Sequence, residues 1–207
     1  TGAAVVNSGQ PNLRAIFPLD FDSRHLLVTS IDYRFKGGKK YKGPMIGNFP
    51  VLAYFGLNTT IRARSGEPFT KLGGTPAPTA IFGRAGRTRL DGSPNGSRLP
   101  WNAKVDIRAD KDFVFKTGNK DEGTQKENAF NLYLQVQNLF NTQNIISVYG
   151  FTGVPTDDGY LASIEGQNEI SQVNNPQSFE DLYDISVNNP NNYSRPRTIR
   201  LGASFSF

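Results

Sequence analysis

Residues 198–207 read TIRLGASFSF, and apolar and polar side chains alternate along the whole stretch. One parity consists of Ile199, Leu201, Ala203, Phe205 and Phe207. Alternation with a period of two predicts a β-strand that has one apolar and one polar face. The stretch therefore predicts such a strand near residues 197–207.

Four earlier stretches show the same alternation, and they lie near residues 25–36, 51–66, 101–115 and 128–141. Their apolar parity is nearly free of charge, with Lys111 as the exception, while the other parity holds Asp, Arg, Lys, Asn and Gln. Together with residues 197–207 they predict an all-β fold of antiparallel strands. Periodicity alone fits both a soluble sandwich and a membrane barrel.

The connections between the predicted strands differ in length in a regular way. Residues 37–50 and 116–128 are short and Lys-rich, whereas residues 67–100 and 142–197 are long and rich in Gly, Pro, Asn and Ser. Strict alternation of short and long connections is typical of outer-membrane barrels, which have short turns on one side and long loops on the other. The spacing therefore favours an antiparallel transmembrane β-barrel segment.

The composition excludes several classes of protein. The 207 residues carry a formal net charge of +5, with 37% hydrophobic and 12% aromatic residues. The absence of Cys excludes disulfides and thiolate metal sites, and His25 is the only histidine, which we expect to be structural. No apolar run approaches the roughly 18–20 residues of a membrane-spanning helix. Because the sequence starts at Thr1 in polar residues, without Met, we expect it to be part of a longer protein.

Aromatic residues collect near the ends of the predicted strands. If the last strand ends at the periplasmic face, seven of them fall near that face: Tyr33, Phe35, Phe55, Phe113, Phe130, Phe205 and Phe207. Trp101 and Phe140 fall near the opposite face. Aromatic rings favour the headgroup region of a bilayer, whereas ordinary core aromatics would scatter along the strands. This distribution favours a membrane barrel over a sandwich.

The polar parity of the strands contains the most charged candidate site. Its members are Asp32, Arg34, Arg62, Arg64, Lys104, Asp106, Arg108 and Asp110. In a plugged barrel these side chains would face the lumen, where they pair across neighbouring strands, contact the plug or contact a polar substrate. Pairing within the wall and with the plug is the favoured interpretation.

The last connection supplies a second candidate site, for ligand contact. Its members are Tyr149, Phe151, Asp157, Asp158, Tyr160 and Tyr183, whose aromatic side chains we expect to be exposed. Aromatic faces and hydrogen-bonding groups suit capture of sugars or peptides, but the same rings would also serve to anchor the loops against each other. Asp157 and Asp158 precede Gly159 without EF-hand spacing and predict a turn rather than a Ca²⁺ site. Ser178 and Asp181 resemble a capping box and predict one or two helical turns.

Neither catalysis nor nucleic-acid binding is expected. No nucleophile–base pair is visible, so the chain is predicted not to be an enzyme, and no cofactor is expected. Lys and Arg are spread over turns and strands rather than gathered in one stripe, which argues against nucleic acid as a partner. Basic residues in turns suit anionic lipid headgroups instead.

Six stretches carry a family resemblance: DSRH at 22–25, SGEPF at 65–69, LPWNAKVD at 99–106, LYLQVQNLFN at 132–141, VYGFTGVPTDDGYLA at 148–162 and YSRPRTIRLGASFSF at 193–207. In this order they resemble the C-terminal part of TonB-dependent outer-membrane transporters, with the closest likeness to the Oar-like and SusC-like branch of Bacteroidetes-type bacteria. The resemblance implies a barrel of about 22 strands with an N-terminal plug, of which this chain would supply the last five strands and not the plug.

The resemblance also implies a function, which is TonB-energised uptake of a scarce solute across the outer membrane of a Gram-negative bacterium. The implied partners are outer-membrane lipid, the protein's own N-terminal barrel and plug, TonB through that missing part, the outer-membrane assembly machinery and, where one exists, a surface lipoprotein. The apolar parity of the terminal strand would be the signal that the assembly machinery reads. Two alternatives stay open: a non-transporting outer-membrane barrel for adhesion or for scaffolding a surface complex, and a soluble β-sandwich binding module.

Overall fold

A computed structural model describes residues 16–74, 89–118 and 126–207 of the chain, apart from the side chain of Lys39. The strands are β1 (Leu26–Arg34), β2 (Met45–Ile46), β3 (Phe49–Pro50), β4 (Phe55–Arg64), β5 (Pro68–Phe69), β6 (Ser97–Arg98), β7 (Asn102–Thr117), β8 (Lys126–Gln137) and β9 (Thr198–Ser206). The helices are α1 (Ile164–Gln172) and α2 (Pro176–Val187), and short 3₁₀ turns lie at Gly38–Lys40 and Pro190–Asn192.

Five of the strands form one antiparallel sheet in the order β1-β4-β7-β8-β9. The chain divides into two compact units. The sheet unit comprises Ser23–Gly66, Leu99–Val148 and Asn189–Phe207, and the loop unit comprises Glu67–Arg98, Tyr149–Asn188 and the described part of Thr1–Asp22. The prediction of an all-β fold is confirmed as a mostly antiparallel sheet with few helices.

In the strand register, the apolar parity of the five alternating stretches lies on one face of the sheet and the polar parity lies on the other. One row across the strands consists of Ile31, Thr59, Ile107, Val136 and Ile199. The adjacent row consists of Asp32, Asn58, Arg108, Gln135 and Arg200. Because side chains alternate between faces along each strand, the sheet has one apolar face and one polar face.

Two strands are shorter than their alternation predicts. The second strand begins at Phe55 rather than near residue 51, because the Phe55 N–H donates to the Leu52 carbonyl (3.1 Å) in a turn where Tyr54 has φ 58°. The fourth ends at Gln137 rather than near residue 141, because Asn138 has φ 55° and leaves the extended conformation. Phe140 therefore lies beyond the strand.

The connection 142–197 contains two full helices rather than the one or two helical turns predicted. The helix α1 has 9 residues and is capped by Ser163, whose Oγ accepts the Gly166 N–H (3.1 Å). The helix α2 has 12 residues and is capped by Asn175, whose Oδ1 accepts the Ser178 N–H (3.1 Å). The predicted capping box at Ser178 is therefore wrong, because Asn175 followed by Pro176 starts the helix one turn earlier.

The connection 67–100 begins and ends with the paired strands β5 and β6. Residues 75–88 of this connection, and residues 119–125 of the short connection after β7, lie outside the described residues. Within the described ranges, no helix is both long and apolar enough to cross a membrane.

Few large apolar side chains are buried in the sheet unit. Among the described residues the buried hydrophobic side chains are Ala53, Leu99, Tyr160 and Val187, and only Ala53 and Leu99 belong to this unit. By contrast, Leu201 on the apolar face is 73% exposed. The apolar face of the sheet therefore does not form an ordinary protein core.

Candidate functional site

The polar face of the sheet holds ion pairs that cross a whole strand. Arg34 on β1 lies 2.9 Å from Asp110 and 3.4 Å from Asp112, both on β7. The intervening strand β4 places Gly56 between them, where a Cβ atom would lie 2.7 Å from Arg34 Nη2 and 2.9 Å from Asp110 Oδ1. The glycine at this position makes room for the pairing.

A second group on the polar face is centred on Asp106. Its carboxylate lies 4.0 Å from Arg62 and 3.6 Å from Lys104, and its Oδ1 accepts the Asn138 N–H (2.8 Å). Two cations and one backbone donor thus share a single carboxylate. The exposed pair with Arg62 contributes little by itself, whereas the backbone bond fixes the end of β8.

The remaining polar candidates are spread over the same face. Asp32 accepts a hydrogen bond from Asn58 Nδ2 (3.2 Å), and the Arg108 guanidinium lies 4.1 Å from the centre of the Tyr133 ring. Arg64 lies opposite Leu26 and Asn102 in the register. The structure therefore brings the polar candidates onto one face, and the ion pairs of Arg34, Arg62 and Lys104 described above lie within the sheet.

A groove on the polar face, with a volume of about 210 Å³, runs beside these groups. Its polar lining residues are Asn58, Thr60, Arg62, Asp106, Arg108, Gln135 and Gln137. Amide, hydroxyl and guanidinium groups in a shallow groove suit hydrogen bonding to a polar solute or to another polar protein surface. Nothing in this set resembles a nucleophile beside a base.

The apolar face carries a cluster of aromatic rings at the end of the sheet where β9 finishes. Ring centres are 6.3 Å apart for Phe113 and Phe130, and 6.0 Å apart for Phe205 and Phe207. Phe115, which the sequence analysis omitted, lies 6.1 Å from Phe205. It has the same parity as Phe113, so alternation extended by two residues would have found it.

Tyr33 and Phe35 add an edge-to-face pair, 5.0 Å between ring centres, at the same end of the sheet. Phe35 also donates its backbone N–H to the Phe55 carbonyl (2.9 Å). The aromatic band at this end of the apolar face thus consists of Tyr33, Phe35, Phe113, Phe115, Phe130, Phe205 and Phe207. These aromatic residues lie toward the same end of the sheet but in different register rows, because Tyr33 aligns with Ala109 and the row of Phe113 and Phe130 lies four residues further along β7.

Lys111, the charged residue of the apolar parity, reaches the same aromatic end. Its ammonium group hydrogen-bonds to the Val51 carbonyl and lies 5.5 Å from the centre of the Phe113 ring. A long side chain can lie along apolar surface while its charged end finds polar partners. Lys111 therefore interrupts the apolar pattern without placing an unpartnered charge on the face.

At the other end of the sheet, Trp101 stacks on His25, with ring centres 5.9 Å apart and the planes inclined by 2°. The His25 backbone N–H donates to Ser65 Oγ (3.0 Å), and Ser65 is buried. The contacts of His25 are those of a residue that holds a strand end, as predicted. Trp101 and Phe140 are both exposed.

The loop unit contains a compact group built around Asp158. Its Oδ2 accepts the hydroxyl of Tyr183 (2.7 Å), and its Oδ1 accepts the backbone N–H of Tyr160 (2.9 Å). The two tyrosine rings lie 5.2 Å apart, and Tyr160 is only 2% exposed. The expectation that Tyr160 is exposed for ligand contact is therefore wrong, because its ring packs inside this group.

The environment of the two tyrosines stabilises their neutral phenols. Burial, followed by a hydrogen bond with Glu169, raises the pKa of Tyr160 from 10.0 to about 12. Burial and the hydrogen bond to Asp158 also raise the pKa of Tyr183. Both phenols therefore act as neutral donors or packed rings and not as acids near neutral pH.

The other loop candidates also have contacts within the loop unit. Asp157 Oδ1 accepts the Gly159 N–H (2.7 Å), and Gly159 has φ 80°, which is the predicted turn. The Tyr149 hydroxyl donates to the Val187 carbonyl (2.6 Å), and Phe151 lies beneath Gly159. No group of three or more His, Asp or Glu residues in the described part of the chain could hold a metal ion. The contacts favour anchoring of the loop over exposure to a ligand.

The terminal strand candidates lie at one edge of the sheet. Ile199, Leu201, Ala203 and Phe205 belong to β9, and Phe207 follows it. In the described part of the chain β9 pairs only with β8, and β1 pairs only with β4. Each edge therefore presents backbone N–H and C=O groups to a further strand.

Comparison of the chain with protein-family models, with curated proteins and with solved structures finds no match in any of the three. The resemblance drawn from the sequence therefore stays a prediction, and the geometry of the sheet carries the functional argument.

Proposed function

We propose that this chain forms five neighbouring strands of an outer-membrane β-barrel of the TonB-dependent transporter type. The observation that carries the proposal is the apolar face of the sheet, which has exposed apolar side chains on all five strands, a group of aromatic residues at one end and Trp101 at the other. A lipid-facing barrel wall has this combination of an apolar band and interfacial aromatic girdles.

A soluble sandwich is less well supported by the sheet unit. Such a fold covers its apolar face with a second sheet of similar extent. In the described part of the sheet unit, the other paired strands are β2 and β3, with two residues each. Two such strands are too short to cover the exposed rows of five strands.

In the proposed barrel, the polar face lines the lumen and the edge strands join neighbouring strands of the parent protein. Arg34, Asp106 and Arg108 would then contribute to a hydrated wall that meets the plug or a passing solute. The open backbone groups of β1 and β9 suit pairing with strands that this chain does not supply. Uptake would be driven by TonB acting on the plug, and this chain would make or break no bond.

The membrane placement is tested by extracting the protein from cells that produce it. We expect it to require detergent and to change its gel mobility on heating, because a closed barrel resists dodecyl sulfate until it is heated. A monodisperse monomer in buffer without detergent would contradict the membrane placement.

The transport part of the proposal has a separate test. We expect solute accumulation by the whole protein to disappear when TonB is removed, while the amount of protein in the outer membrane stays constant. Unchanged accumulation, or a surface function that does not depend on TonB, would replace transport by adhesion or scaffolding and leave the barrel intact.

A further inference from the structure

The connection between β1 and β4 concentrates positive charge. It contains Lys36, Lys39, Lys40 and Lys42, and no Asp or Glu occurs anywhere from Tyr33 to Gly66. The net charge of the whole chain is only +5. This single connection therefore carries a local excess of charge nearly as large as that of the complete sequence.

The same connection ends in an apolar hairpin. Strands β2 and β3 pair through Met45 with Pro50 and through Ile46 with Phe49. Met45, Ile46 and Phe49 are 56%, 74% and 64% exposed. Three large apolar side chains on a small exposed hairpin are unfavourable in water and suit insertion into a less polar phase.

Tyr41 fixes the lysines relative to this hairpin. Its hydroxyl donates to the Pro44 carbonyl (2.6 Å) and accepts the Leu52 N–H (3.1 Å). Its ring lies 6.2 Å from the ring of Phe35 in the aromatic band. Lys40 and Lys42 flank Tyr41 in the sequence, so both are held beside the band rather than on a free loop.

A cavity of about 520 Å³ lies where the lysines meet the aromatic band. It is lined by Tyr33, Arg34, Phe35, Lys36, Lys40 and Lys42. Arg34 is already held by Asp110 and Asp112, so the ammonium groups of the lysines supply the charge for an additional anion. The lining thus joins apolar rings to positive groups within one concave surface.

We infer that this connection is a binding site for the headgroup of an anionic phospholipid, with the β2–β3 hairpin inserted among the lipids. The lysines would surround the phosphodiester, and the aromatic rings would lie at the level of the headgroups. The apolar hairpin would insert at the boundary with the acyl chains, so the three features match one lipid surface. The inference rests on the membrane placement proposed above and is independent of transport.

The other short connection lacks these features. Residues 116–128 read KTGNKDEGTQKEN, in which lysines alternate with Asp and Glu and no large apolar residue occurs. A mixed-sign, fully polar segment attracts an anionic surface much less. Selective lipid binding is therefore expected at the first connection alone.

The test uses the whole protein in nanodiscs of phosphatidylcholine that contain a minor fraction of phosphatidylglycerol. After mild delipidation, the retained lipids are counted by native mass spectrometry. We expect preferential retention of phosphatidylglycerol, and we expect the triple variant Lys36→Gln, Lys40→Gln and Lys42→Gln to weaken it by at least about tenfold, given roughly 1 kcal/mol per lysine near an anionic surface.

The matched control removes the same charge from the other end of the sheet. Arg24, Arg195 and Arg197 are exposed residues beside the starts of β1 and β9, and their replacement by Gln should leave the preference unchanged. Equal losses in both triple variants, or no preference in the unmodified protein, would overturn the inference. Displacement of phosphatidylglycerol by inorganic phosphate alone would also overturn it, by indicating a free-phosphate site.

Protein folding is followed separately by heat-modifiable mobility. If the lysine variant loses this property, the replacement Ile46→Ser with Phe49→Ser serves as the second variant, and we expect it to reduce retention of phosphatidylglycerol. Unchanged retention in that variant would contradict the inserted hairpin. If the protein is heat-modifiable but shows no lipid preference, the lipid site is rejected and the membrane placement is kept. If the protein is soluble without detergent, both proposals are rejected.

Discussion

The five-stranded sheet and the loop unit differ in where their aromatic rings lie. On the sheet, Leu201 is largely exposed while Asp110 is buried on the polar face beside Arg34. In the loop unit, Tyr160 is buried, and Asp158 is buried with hydrogen bonds from two tyrosines. The loop unit thus packs tyrosine rings around a hydrogen-bonded carboxylate, although Ile164, Leu182 and Ile185 are exposed there, whereas the apolar face of the sheet leaves its aromatic rings exposed.

Under the proposed membrane placement, the two regions would meet different surroundings. A side-chain distribution is stable only where exposed groups match the phase around them. An exposed apolar face fits lipid, and a folded loop with buried aromatics fits water.

The largest effect is expected at the end of the sheet. Removal of Phe207 from the whole protein should reduce its outer-membrane level to a small fraction, because the edge strand β9 and its aromatic side chains would be the anchors for assembly under the proposed function. Phe113→Leu should have a mild effect, since Phe115, Phe130 and Phe205 remain in the band. Quantitative blotting of membrane fractions measures both. Equal levels would make Phe207 an ordinary band residue.

The next effect concerns the two faces of the sheet. Ile107→Arg should destabilise the protein in lipid by about 2–4 kcal/mol, because it places a charge on the apolar face, which would meet lipid in the proposed barrel. Arg108→Leu should be tolerated, because the changes are the loss of one cation from a polar face and the loss of its contact with the Tyr133 ring. The unfolding free energy in detergent or lipid is the readout. Similar losses for both variants would erase the distinction between the faces.

A smaller effect is expected inside the loop unit. Asp158→Ala should cost about 1–3 kcal/mol, because it leaves the Tyr183 hydroxyl and the Tyr160 N–H without their acceptor. Asp181→Ala is the control, since Asp181 is exposed and accepts a hydrogen bond from Gln177 on the same helix (2.9 Å). Hydrogen exchange across α1 and α2 should rise only in the Asp158 variant. Equal exchange would argue that the loop unit lacks an internal core.

The smallest effect appears only at high pH. Because the pKa of Tyr160 is raised from 10.0 to about 12, the folded loop unit keeps the phenol neutral. Its stabilising contribution is complete below pH 10 and is lost as the pH rises towards 12, where the unfolded chain ionises first. Tyr160→Phe should flatten part of this decline in near-ultraviolet circular dichroism. A decline that is identical in the variant would show that Tyr160 is not responsible.

The sheet was largely predictable from the sequence, because alternation is a property of the strand itself. The register that aligns Ile107 with Thr59 and Val136 follows once each apolar parity is placed on one face. The strand ends at Phe55 and Gln137 were not predictable, since they depend on turns with positive φ at Tyr54 and Asn138. Non-glycine residues adopt this conformation rarely, and alternation gives no sign of it.

The two candidate sites differ in the same respect. Parity alone placed Asp32, Arg62 and Arg108 on one face, but it could not show that Gly56 lets Arg34 reach Asp110 across a strand. In the loop unit, composition could not distinguish exposed from buried aromatics. The burial of Tyr160 depends on Asp158 and Tyr183, which lie up to 25 residues apart in the sequence.

Asn138 has a consequence for how the stretch LYLQVQNLFN varies among sequences. Its backbone has φ 55°, its Nδ2 donates to the carbonyls of Thr142 (3.1 Å) and Arg195 (3.2 Å), and its Oδ1 accepts the Thr142 N–H (2.9 Å). Gly would adopt this φ but supply none of the three bonds, and Asp would lack the two donors. Selection at this position therefore acts on the corner that ends β8, so its asparagine should persist in sequences whose loops differ.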